Sequence, residues 1–191
     1  MLVQILGKSY DINIEQLNLY DNGISELPES IEKLINLQIL ELNYNRLKTI
    51  PKSIIKLVKL ERLFLSNNQL TTLPESIGEL INLKKLYLHF NQLKKLPESI
   101  GKLVKLEELI LYNNRLTNLP TSILNIKNSL TVYADSYEIN NLSPDTEFLI
   151  FSYLDKELTN LPTGLKEIWV KEENKKLNHK LPFGCVIKYF E

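Results

Sequence analysis

Leu37-Gln-Ile-Leu40-Glu-Leu42-Asn-Tyr-Asn45-Arg-Leu47-Lys-Thr-Ile50-Pro51-Lys-Ser-Ile54-Ile-Lys-Leu57-Val-Lys59 is a 23-residue unit, and its pattern of leucine or isoleucine, asparagine and proline runs five times without a slip. The units begin at Ile14, Leu37, Leu60, Leu83 and Leu106, and the last ends at Asn128. A fixed period in this range is the mark of a solenoid. Each unit is one coil, and stacking buries the leucines that a single coil would leave in water. Within the unit, Leu40-Glu-Leu42 alternates with the two-residue period of a short strand that has one buried face. The strands should therefore stack in parallel, one per coil. Leu70, Leu73, Ile77 and Leu80 in the third unit are spaced more widely, and should point inward from a turn and a short helical segment.

Two other positions recur. Asparagine stands ninth in every unit, at Asn22, Asn45, Asn68, Asn91 and Asn114. At a coil corner its amide can satisfy backbone groups that the turning chain leaves unpaired, so these five read as a structural ladder rather than a binding site. Proline recurs at Pro28, Pro51, Pro74, Pro97 and Pro120, where it removes an N–H and sets the backbone just ahead of the helical segment.

These residues resemble the leucine-rich repeat, specifically the 23-residue subclass with a Leu-Pro-x-x-Ile-x-x-Leu second half, similar to the repeats of Ras-suppressor and plant intracellular Ras-group-related proteins. The resemblance implies an α/β repeat solenoid, a horseshoe with a parallel β-sheet on the concave face and short helical or 3-10 segments on the convex face. It also implies a protein-binding role for the concave side. A small GTPase or another signalling protein is the partner class it suggests.

The ends depart from the strict unit. Residues 1–13 contain Leu2 to Leu6, then Gly7-Lys8, then Ser9 to Ile12, which reads as a capping hairpin with glycine first in its turn. Gly7-Lys8-Ser9 lacks the upstream glycine and strand of a phosphate-binding loop. Residues 129–191 hold four strand-like runs, Leu130–Ala134, Phe148–Leu154, Leu165–Val170 and Cys185–Phe190. Between them, Leu161-Pro-Thr-Gly-Leu165 and Leu181-Pro-Phe-Gly184 resemble part of the FNIP-type leucine-rich repeat, without its Phe-Asn-x-Pro signature. The solenoid should continue there in shorter, irregular coils, with Lys171 to Lys180 as an exposed loop. The tail and the Asn, Ile, Lys and Tyr usage look like leucine-rich repeat proteins of amoebae or of the large DNA viruses that infect them.

Twenty-three basic residues balance twenty-three acidic ones, which favours neither nucleic acid nor an anionic membrane as partner. One cysteine excludes an internal disulfide, and no stretch reads as a secretion signal or a membrane span. The expectation is a monomer in the cytoplasm, the host's cytoplasm if the chain is viral. His89 and His179 are far apart, and no cluster has metal-ligand spacing. No catalytic residue, metal or cofactor is expected. Cys185, in an apolar run, reads as a buried inert thiol, and Asn141-Leu-Ser143 as an idle glycosylation match.

The repeat register allows the exposed face of the sheet to be read by column. The residue between the strand leucines gives Asn18, Glu41, Phe64, Tyr87 and Ile110; the next outward column gives Tyr20, Asn43, Ser66, His89 and Tyr112; a third gives Asp21, Tyr44, Asn67, Phe90 and Asn113. With strands about 4.8 Å apart, Phe64, Tyr87, Ile110, His89, Phe90 and Tyr112 gather into an apolar, aromatic patch over coils three to five, with Tyr44 beside it. Gln16, Ile39, Arg62, Lys85 and Glu108 would form the rim, which Arg62 and Lys85 bias towards an acidic partner. The leading expectation is a non-enzymatic protein-protein interaction module. The alternatives are the substrate-selecting part of a ligase that uses Cys185, or a structural component that self-associates through its last strand.

Overall fold

The computed structural model describes residues 2–116, 119–126, 131–134, 148–151, 163, 165–171 and 183–190. An antiparallel pair, β1 (Leu2–Ile5) and β2 (Lys8–Asp11), precedes a nine-stranded sheet whose members are all parallel and follow chain order. Its strands are β3 (Gln16–Asn18), β4 (Ile39–Glu41), β5 (Arg62–Phe64), β6 (Lys85–Tyr87), β7 (Glu108–Ile110), β8 (Thr131–Ala134), β9 (Phe148–Phe151), β10 (Glu167–Lys171) and β11 (Val186–Phe190). Among the described residues, five 3-10 segments alternate with the strands from β3 to β8: η1 (Glu29–Lys33), η2 (Lys52–Lys56), η3 (Glu75–Glu79), η4 (Glu98–Lys102) and η5 (Thr121–Asn125). The solenoid expected from the repeat is thus the architecture observed.

The register explains the core. Leu17, Leu40, Leu63, Leu86, Leu109 and Val132 pair in one column, and every one of them is buried. The column then passes through Leu149 and Ile168 to Ile187 with shorter steps along the chain, so β8 to β11 belong to the same sheet as the regular coils. Leu70, Leu73, Ile77 and Leu80 also lie inside. Each unit therefore contributes leucines from both its sheet side and its helical side to one core.

The helical side stays short because each segment is bounded at both ends. Pro28, Pro51, Pro74, Pro97 and Pro120 hold extended backbone immediately before it. At the far end the N–H of Leu34, Leu57, Leu80 and Leu103 closes on the isoleucine carbonyl three residues back, the tight 3-10 bond. Ser99 and Ser122 lie against Gly78 and Gly101 of the segment before them. The hydroxyls of Ser53, Ser76, Ser99 and Ser122 are buried without a hydrogen-bond partner among the described residues, whereas Ser30 Oγ donates to the Gln4 carbonyl at 2.8 Å and ties the hairpin to the first coil.

The asparagines bridge coils. Asn68 Nδ2 donates to the carbonyls of Leu42 (2.9 Å) and Leu65 (3.1 Å), and its Oδ1 accepts from Leu47 N at 2.9 Å. Asn45, Asn91 and Asn114 make the equivalent bonds to the coil before them. Asn22 differs: it is exposed, and among the described residues its amide donates only to the nearby Tyr20 carbonyl, because no full coil precedes it.

Three expectations are corrected. The hairpin turn is Leu6-Gly7, both at positive φ, with Ile5 opposite Lys8, rather than Gly7-Lys8. Asp11 decides this register: its carboxylate and carbonyl accept from Asn13 N and Ile14 N in the turn into β3, so it cannot sit in mid-strand. Cys185 is half-buried and precedes β11 instead of lying buried within it. Ile110, expected in the open on the sheet face, is only 9% exposed beside the longer Tyr87. The loop of residues 172–180, His179, Asn141–Ser143 and the Leu-Pro pairs at 161–162 and 181–182 lie outside the described residues.

Candidate protein-binding face

On the side of the sheet away from the leucine core, Asn18, Glu41, Phe64, Tyr87 and Ile110 stand in register on successive strands. The Phe64 and Tyr87 rings meet edge-on with centroids 4.8 Å apart. Tyr87 lies 6.3 Å from His89, which stacks on Tyr112 at 4.6 Å, and Phe90 closes the group edge-on to Tyr112 at 5.5 Å. The five aromatic side chains named from the sequence over coils three to five therefore form one continuous network. Tyr44 is not part of it and pairs with Tyr20 at 5.1 Å.

His89 is anchored at the centre. Its Nδ1 shares a 2.8 Å hydrogen bond with Ser66 Oγ, and burial holds its pKa below the usual imidazole value. Burial acts on Glu41 in the opposite direction, raising its carboxyl pKa, although the bond from Asn43 N to Oε1 at 2.8 Å partly offsets it. The rim is less positive than expected. Lys85 Nζ is ion-paired with Glu108 Oε2 at 2.8 Å, which cancels its charge and leaves Arg62 as the exposed cation of that column. Like-facing positions on neighbouring strands come within reach of each other, and opposite charges there pair with one another before they meet a partner.

The third column has a backbone peculiarity. Asp21, Tyr44, Asn67, Phe90 and Asn113 all sit at φ between 50° and 58°, the left-handed region. The N–H of each of the first four is fixed by the next coil, as in Phe90 N to Tyr112 O at 3.1 Å. Asparagine and aspartate tolerate this conformation, whereas a bulky side chain there is strained by about 1–2 kcal/mol. Tyr44 and Phe90 accept that strain while remaining 51% and 47% exposed. An aromatic residue in a strained, wet position contributes little to folding. Phe90→Asn is accordingly expected to change stability by less than about 1 kcal/mol, because relief of strain offsets the lost ring contacts. A loss near 3 kcal/mol on urea denaturation, usual for a packed phenylalanine, would show that Phe90 is structural.

One exposed row escaped the sequence reading. Ile35, Val58, Ile81 and Val104 occupy the same place in successive units and are each at least half exposed. Beside them Lys59 Nζ donates to Asn36 Oδ1 at 2.8 Å and Lys105 Nζ to Asn82 Oδ1 at 2.7 Å. The signal was a β-branched residue after the last helical-side leucine of the first four coils, visible in the repeat but assigned no direction.

Residues 12–91 match the family model described as a leucine-rich repeat region, and residues 81–131 match the model for leucine-rich repeats in two copies. The chain belongs to the leucine-rich repeat proteins. Among solved structures it is similar to a leucine-rich repeat protein of Leptospira interrogans, at 24% identity and a TM-score of 0.46, over 93% of this chain. The chain spans 62% of the length of that protein. No curated protein matches it. Leucine-rich repeats are typically non-enzymatic and generally mediate protein-protein interaction. Among the described residues of this leucine-rich repeat protein, no group of three or more histidine, cysteine or acidic side chains could hold a metal ion, and no helix is long and apolar enough to cross a membrane.

Proposed function

We propose that this leucine-rich repeat protein is a non-enzymatic intracellular module that binds a protein partner on its sheet face, with Phe64, Tyr87 and Tyr112 as the anchor and Phe90 and Tyr44 as outlying contacts. The sheet face is the concave one in this reading, since a helical turn with its side chains is broader than the spacing between strands. The observation that carries the reading is the continuous ring network from Phe64 to Phe90, held half in water by short strands. Aromatic residues clustered at the centre of a rigid surface are the usual source of binding energy between proteins. Ile110 supports the neighbouring rings from below instead of meeting the partner. The resemblance to Ras-suppressor repeats suggests a small GTPase or another signalling protein as the partner class.

The test is affinity capture from cytosolic lysate with the wild-type chain and with Phe64→Glu/Tyr87→Glu, read by proteomics. A partner held by the wild type should bind the double variant at least about thirtyfold more weakly, the effect of losing more than 2 kcal/mol at an anchor. The variant should keep its circular dichroism spectrum, because both side chains are outside the leucine core. Equal capture by the two proteins would remove the sheet face from consideration.

A further inference from the structure

The aromatic network borders a half-buried charge that lacks a counter-charge. Glu41 stands directly across from Phe64 on the next strand. Its Oε1 is taken by Asn43 N, and among the described residues no lysine or arginine lies within ion-pair distance of it. Arg62 is the nearest candidate by position, but its register partner is Ile39 and its side chain is exposed. The other acid in this part of the face, Glu108, already holds Lys85.

We propose that the sheet face takes up a cationic side chain of the partner protein, an arginine or lysine, with its charged head on Glu41 and its methylene stem across Phe64. This rests on the sheet-face reading above and specifies its partner. A carboxylate partly removed from water gains most from a charged N–H donor, and such bonds are stronger than neutral ones. The stems of arginine and lysine are apolar and pack on aromatic rings, while the cationic head is attracted to ring faces. Phe64 and Tyr87, already edge-on to each other, provide that surface one strand from the carboxylate. This differs from the acidic partner expected from Arg62 and Lys85. Lys85 is ion-paired, and beside Phe64 the charges without an ion-pair partner among the described residues are Arg62, which is exposed, and Glu41, which is partly buried and so gains more from a counter-charge.

The experiment is an NMR titration of the full chain with N-acetyl-arginine amide and, for comparison, the neutral N-acetyl-norleucine amide. The arginine probe should move the Phe64 and Tyr87 ring signals and the Asn43 amide saturably, and bind about tenfold more tightly than the neutral probe, the worth of one charged hydrogen bond. Glu41→Gln should abolish that preference. In the wild type, the Glu41 carboxyl should titrate at lower pH when the arginine probe is present, since an adjacent cation favours the charged form. This readout needs no variant. Equal shifts from the two probes, or an undisturbed Glu41 titration, would overturn the proposal. The capture experiment with Phe64→Glu/Tyr87→Glu is independent of it. Partner loss there, combined with no arginine preference here, leaves the face as a binding surface and removes only the cation.

Discussion

Asn68→Leu is expected to destabilise the protein by about 4 kcal/mol, whereas Asn22→Leu should be indistinguishable from wild type in the same urea titration. The two asparagines occupy one position of the repeat and differ only in what lies beneath them. Asn68 is buried, receives Leu47 N, and donates to the carbonyls of Leu42, Leu65 and Ser66. Leucine fills a similar volume but leaves the Leu47 N–H facing an apolar side chain, and it takes one of two donors from the carbonyls of Leu42 and Leu65, which keep Asn45 and Asn91. An orphaned buried N–H costs about 1–3 kcal/mol, and carbonyls somewhat less because they have a second lone pair. Asn22 is exposed and serves only the Tyr20 carbonyl, which water can satisfy. The bonds of Asn68 also join the second coil to the third, and a solenoid is held by nearest-neighbour interfaces. The variant should therefore show a broadened or two-step transition as well as a lower midpoint. Equal losses for the two substitutions would mean that the ladder contributes through local turn preference rather than through bonds between coils.

The repeat carries that ladder openly, and the fold was legible for the same reason. A side chain that performs one task in every coil must return at one spacing, so the buried leucines, the bridging asparagines and the prolines ahead of each 3-10 segment can all be read by period alone. What period cannot convey is how neighbouring columns meet. Lys85 and Glu108 fall in a single column, and only their 2.8 Å approach shows that the lysine brings no free charge to the rim. Phe90 and Tyr44 look like ordinary exposed aromatics until the backbone shows them in the left-handed region that their counterparts Asn67 and Asn113 occupy more easily. The hairpin failed for a related reason. Two turns one residue apart satisfy the same pattern, and a bond at the end of the hairpin, from Asn13 N to the Asp11 carboxylate, selects between them. The serine after Pro-x in every unit was as regular as the asparagine. Its meaning is steric, and it shows only when the helical segments are placed side by side.

That contact leads to the second large effect. Gly101→Ala should destabilise the protein by about 2–3 kcal/mol, although an exposed helical glycine usually gains from the same change. A β-carbon at Gly101 would lie 2.1 Å from the Ser122 carbonyl oxygen and 2.7 Å from its Cβ, and at Gly78 the distances to Ser99 are 2.2 Å and 2.7 Å. The obstacle is backbone, so no rotamer change relieves it, and η4 must move away from η5. The strands on the opposite side are tied by hydrogen bonds at a fixed spacing of about 4.8 Å. Separation on the helical side alone can only bend the stack more sharply towards the sheet. Gly78 and Gly101 thus allow η3, η4 and η5 to approach closely on the side of the coils opposite the Phe64, Tyr87 and Tyr112 rings. Gly78→Ala/Gly101→Ala should lower the denaturation midpoint and shift the small-angle scattering profile towards a more curved particle. A stabilised variant with unchanged scattering would show that the 3-10 segments have room to spare, and that the curvature is set elsewhere in the coil.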